Sequence, residues 1–159
     1  MSLYAEGTEV PVERSKAQIE EILRRYGATA FASGWDKQHA LLQFQFRGML
    51  VQFVVPMPAE DAKEFRTTPT GRAKRSVDGV RRAYESEVRR RWRALALVVR
   101  AKLECVSAGI STFEREFLPW VILPNGKSVG DMLIPQLEHA IKTGKMPQLL
   151  LAAPAGGGS

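Results

Sequence analysis

At 159 residues, 45% apolar and 25% charged, the chain has the size and composition of one globular domain with a real core. No apolar run approaches the roughly 18 residues that span a bilayer, and no charged-then-apolar signal segment opens the sequence. The single Cys105 excludes an internal disulfide framework and a multi-cysteine zinc site, so a cytoplasmic setting is expected.

The net charge of +6 is unevenly placed. Residues 61–103 hold 13 basic and 5 acidic side chains, net +8, whereas each flank carries −1. A localised positive field is a better sign of a polyanionic partner than a high isoelectric point alone. The competing reading is a solvated arginine face that keeps a helix soluble.

Residues 1–14 lack periodicity and read as a flexible arm before a single domain over 15–151, with a flexible glycine-rich tail at 152–159. Ser15-Lys16-Ala17-Gln18 is a capping-box pattern. Ile19, Ile22, Leu23 and Tyr26 give the first helix one apolar face, and Gly27 closes it. Three strands are predicted next, over 28–35, 40–46 and 49–55. Leu42, Phe44 and Phe46 alternate with Gln43 and Gln45, and Arg47-Gly48 suits a two-residue hairpin turn. That turn pairs Phe46 with Met49, Phe44 with Val51 and Leu42 with Phe53 on one apolar face.

Glu60–Phe65 reads as a short helix, and a polar, basic loop then runs to Ser76. From Ser76 to Ala108 the sequence predicts one long helix. Val77, Val80, Tyr84, Val88, Trp92, Leu95, Val99, Leu103 and Val106 recur at spacings of three and four. Its first half is rich in arginine. Its second half, Ala94–Val106, is apolar on nearly all sides and is expected to be buried more deeply. Beyond Gly109, Ser111-Thr112-Phe113-Glu114 opens a short helix that Pro119 ends. Trp120–Leu123 reads as a short strand, and Ser128 caps a helix running to about Thr143 with Gly144 at its end. Gln148–Ala153 is expected to dock loosely. The fold class is α+β, a single domain in which a helix, a three-stranded antiparallel meander and a long basic helix are followed by C-terminal helices, in the order α-β-β-β-α-β-α.

That order occurs in several nucleic-acid folds: the core of the PD-(D/E)xK nucleases, double-stranded RNA-binding domains, and single-strand annealing proteins of the Rad52 type. Order alone does not give function. A nuclease of that type needs D/E-x-K on the third strand to hold a divalent metal. Here Met49–Val55 has no carboxylate, and Asp61-Ala62-Lys63 follows two prolines. The Lys-Lys-x-Ala-Lys spacing of the RNA-binding domains is also absent. His39 and His139 are far apart in sequence, and Cys105 lies in an apolar stretch where a thiol is inert. Neither a metal site nor a cofactor is expected, and an enzyme is the minority reading. Among the aromatic residues, Trp35 beside a turn is the best candidate for exposure.

Four stretches, Arg24-Arg25-Tyr26-Gly27-Ala28-Thr29, Thr67-Thr68-Pro69-Thr70-Gly71-Arg72, Arg91-Trp92-Arg93-Ala94-Leu95-Ala96-Leu97 and Leu123-Pro124-Asn125-Gly126-Lys127-Ser128-Val129-Gly130, resemble a family of small proteins of tailed bacteriophages and prophages. The resemblance implies a setting, the cytoplasm of an infected host, and no catalytic residues.

The expected function is non-enzymatic nucleic-acid binding in phage DNA replication or recombination, by single-strand binding or annealing, with DNA favoured over RNA. Arg72, Lys74, Arg75, Arg81, Arg82, Arg89, Arg90 and Arg93 are the residues expected to contact phosphates. The alternatives are an oligomeric protein-interaction module or inhibitor of a host factor, and a diverged PD-(D/E)xK-like nuclease. A homo-oligomer or a host protein is a possible partner, and a membrane is not.

Overall fold

The computed structural model describes residues 4–147, with side chains from residue 12 onward. The glycine-rich tail at 152–159, the docking segment at 148–153 and the first three residues of the arm lie outside the described residues. Among the described residues no helix is long and apolar enough to cross a membrane.

Helix α1 spans Tyr4–Arg25, so it begins well before Ser15. A capping pattern marks a helix start only where the preceding backbone leaves the helix, and here it does not. Ser15 is instead buried within the helix, while Ile19 and Leu23 enter the core.

Strands β1 (Ala30–Trp35), β2 (His39–Phe46) and β3 (Met49–Pro56) form an antiparallel meander in the order β1-β2-β3. The hairpin pairs Phe46 with Met49, Phe44 with Val51 and Leu42 with Phe53, as the alternation requires. Arg47 and Gly48 both adopt positive φ, 49° and 77°, which fits a type I′ turn matched to the twist of the flanking strands. On the opposite sheet face Gln43 donates to Gln52 at 2.6 Å, so the central polar row satisfies itself. β1 is an edge strand and carries neither charge nor proline.

After a one-turn helix α2 (Lys63–Arg66), the backbone of 67–75 folds back on itself. Thr67 bridges Lys74, and the Arg75 amide donates to the Arg66 carbonyl at 2.8 Å. Helix α3 then spans Val77–Ser107, capped by Ser76, whose hydroxyl accepts from the Gly79 amide at 3.2 Å. α1 packs along α3, with Trp92, Leu95, Val99 and Leu103 in a common core with Ile19, Leu23, Leu42, Phe44 and Val51. The second half of α3 is not buried all round. Leu97 is 68% exposed, and Val98 is exposed beside it. A cylinder offers only the sector facing its neighbours for burial, and these two residues lie outside that sector.

Helix α4 (Phe113–Phe117) is capped by Thr112 and drives Phe113 and Phe117 onto the sheet, where Phe117 meets Phe44 edge-on at 5.7 Å. Residues Leu118–Trp120 form a 3₁₀ turn, which takes in Trp120, the first residue of the strand expected over Trp120–Leu123. Only single bridges follow, Val121 to Val51 and Ile122 to Ser128. The prolines at 119 and 124 leave too few consecutive donors for a strand to propagate. Helix α5 (Val129–Thr143) is capped by Ser128 and closed by Gly144 at φ 68°. It packs on the 3₁₀ turn through Gly130, where a Cβ would meet the Pro119 carbonyl at 2.8 Å. Its apolar face is mostly uncovered, with Ile141 83% exposed and Ile134 and Leu137 also in the open.

Candidate nucleic-acid interface

The eight expected phosphate contacts do not share one face. Arg82, Arg89 and Arg93 lie seven and four residues apart, which places them on one line along α3. Arg100 lies seven residues further on and extends the line, so the four arginines span about 27 Å of helix. Among the described residues Arg82, Arg93 and Arg100 have no carboxylate within ion-pair distance, whereas Arg89 has Glu85 at 4.0 Å. Arg72 and Lys74, in the folded-back loop before α3, are exposed and likewise have no acidic partner among the described residues.

The other three are engaged structurally, and so is Arg89 within the line. Arg75 is half-buried and donates to the Phe65 carbonyl at 3.4 Å. Arg81 is turned about 100° around α3 from Arg82, toward an apolar cavity, and pairs with Asp78 at 3.1 Å. Arg90 makes a two-pronged contact with Glu87, at 2.7 and 2.8 Å. Arg89 sits half-buried beside Glu85. The contacts of Arg90 and Arg91 hold the Glu87 carboxyl down at about 2. Arg91 also donates to the Pro56 carbonyl, which pins α3 to the end of β3.

Arg100 was missed because it sits in the apolar half of α3, although the spacing of seven, four and seven would have found it. Arg25 was missed as well. It lies with Arg93 and Arg100 in a groove between α1 and α3, where Glu21 and Glu104 offset part of the charge. Arg25 itself is paired with Glu21 at 2.9 Å.

β3 carries no carboxylate, Asp61 lies in a turn and Lys63 on α2. Among the described residues there is no group of three or more His, Cys, Asp or Glu that could hold a metal. His39 stands at the start of β2, 3.6 Å from Asp36, and His139 is exposed on α5. Cys105 is half-buried. Trp35 is 78% exposed, as its place beside a turn suggested, while Trp92 is buried under α1.

Comparisons with family models, with curated proteins and with solved structures found no match. The class that fold and site define is therefore an α+β domain with an arginine line on its longest helix.

Proposed function

We propose that this protein binds nucleic acid through its phosphate backbone, without catalysis, along the line Arg82–Arg89–Arg93–Arg100, with Arg72 and Lys74 in support. The observation that carries the reading is the alignment of four guanidinium groups on one helix face, three of them without an acidic partner among the described residues. Arginine contacts phosphate in a planar, two-pronged geometry and is always charged. A rigid helix presents these groups at fixed spacing. The setting we propose is phage DNA metabolism, supported by the resemblance to phage proteins, with single-strand binding or annealing as the task.

Such binding is largely independent of sequence and weakens steeply with salt. Four neutralised phosphates correspond to a slope of about −3 to −4 in log affinity against log salt. Fluorescence anisotropy with labelled single-stranded DNA, duplex DNA and RNA across a salt series tests this. The variant Arg82→Glu/Arg93→Glu/Arg100→Glu should bind at least about 10-fold more weakly at fixed salt while keeping its helical circular dichroism. Absence of binding at low salt would remove the proposal.

A second reading, a protein-interaction module, is supported by apolar surface left open at Leu97 and Val98 on α3 and at Ile134, Leu137 and Ile141 on α5. Light scattering at low and high salt separates the two, because an apolar assembly persists in salt and an electrostatic one dissolves.

A further inference from the structure

A cavity of about 820 Å³ opens on the side of α3 away from the arginine line. Its walls come from α1, the β1–β2 turn, the chain after β3, and the first half of α3. That volume is in the range of small-molecule sites, and the walls are mainly apolar, with Val80, Val88 and Met57 among them. Three aromatic side chains, Trp35, Tyr84 and Trp92, also line it.

The charged groups around the cavity do not cancel. Lys16 is taken by Glu13 at 2.7 Å and lies over the Trp92 ring at 5.2 Å. Arg81 is paired with Asp78, and Asp36 accepts the Gln38 and His39 amides at 2.7 and 2.6 Å. Glu60, Asp61 and Glu85 remain, against Arg66. Glu85 is the unusual one. It is only 9% exposed, its Oε1 has no hydrogen-bond partner, and its Oε2 reaches only Arg89 at 4.0 Å. A buried carboxylate oxygen left unpaired is costly, and burial accordingly raises the Glu85 carboxyl above its ordinary range.

We propose that this cavity binds a small organic amine, its ammonium donating to Glu85 and its apolar body lying among Trp35, Tyr84 and Trp92. An ammonium N–H supplies the donor that Glu85 lacks, and aromatic faces attract a cation. The surplus of carboxylates at the walls favours a cation over a neutral or anionic molecule of the same shape. The cavity faces away from most of the arginine line and carries the opposite charge, and the two meet where Glu85 lies 4.0 Å from Arg89.

Titration of the full chain with phenethylamine, and in parallel with hydrocinnamate, tests the assignment. The two probes have the same ring and similar length but opposite charge. Phenethylamine should shift the indole N–H resonances of Trp35 and Trp92 in heteronuclear NMR spectra, and hydrocinnamate at the same concentration should not. Glu85→Gln should weaken the amine about 10-fold or more, equivalent to about 1.4 kcal/mol, whereas Glu104→Gln on the far side should not change it. Should Glu85→Gln fold poorly, Trp35→Ala at an exposed position provides the second variant and should weaken the amine several-fold. Equal binding of both probes, or no shift with the amine at about 10 mM, would overturn the proposal.

Discussion

The two halves of α3 carry the same apolar period and meet opposite fates. From Leu95 to Leu103 the stripe is sealed against α1, the sheet and α4, with Trp92 at the boundary as part of the cavity wall. From Val77 to Val88 it is only partly covered, with Val77 85% exposed and Val80, Tyr84 and Val88 lining an open cavity. Periodicity therefore says which side of a helix is apolar, and the neighbours decide how much of that side is removed from water. Stability should accordingly concentrate in the second half and ligand access in the first.

The strongest way to test this contrast is to hollow out the sealed half. Phe117→Ala, beside Phe44, Phe53 and Phe113, should cost about 3–5 kcal/mol in chemical denaturation. A smaller but sharper comparison adds bulk in each half. Val99→Phe should cost about 1–3 kcal/mol, because Val99 is fully buried, whereas Val80→Phe should be nearly neutral because it grows into the cavity. Equal costs would mean that the two halves are equally tight.

The junction between the halves is held by Glu87 with Arg90 and Arg91. Removing this carboxylate as Glu87→Gln should cost about 1 kcal/mol near neutral pH, allowing for solvent around Arg90. Because the folded carboxyl is lowered from 4.5 to about 2, the ion pair stabilises fully above the ordinary carboxylate range. The difference between wild type and variant should shrink as pH falls from about 4.5 and vanish near 2. The smallest effect is expected at the open end, where Val77→Ala should stay within about 0.5 kcal/mol of wild type.

Much of this architecture was legible in the sequence wherever local hydrogen bonds or strict alternation dictate it. The hairpin register followed from Leu42, Phe44 and Phe46 alternating with glutamines, together with a turn that Arg47-Gly48 can adopt. The start of α3 followed from Ser76, and both ends of α5 from Ser128 and Gly144. The start of α1 was misplaced because Ser15 resembles a cap in letters alone. The strand expected over Trp120–Leu123 lost its first residue to a 3₁₀ turn and kept only single bridges at Val121 and Ile122, because apolar letters alone do not say whether a partner strand is in reach. Within the basic segment, charge was visible but direction was not. Arg81 and Arg82 are neighbours in sequence and point about 100° apart around the helix, so one faces the cavity and the other the arginine line. Glu85 was passed over altogether, since nothing in a sequence marks a carboxylate whose partner is missing.

The pairing of α1 with α3 has a consequence for synthesis of the chain. Ile19 and Leu23 share a core with Leu42, Phe44 and Val51, but the stretch Trp92–Leu103 along which α1 packs lies roughly 70 to 80 residues downstream. At ordinary translation rates the ribosome needs about 4–16 s to supply that stretch. Throughout that interval the nascent first helix lacks its α3 partner and part of its apolar face stays uncovered, which makes it a natural client for chaperones waiting at the exit tunnel.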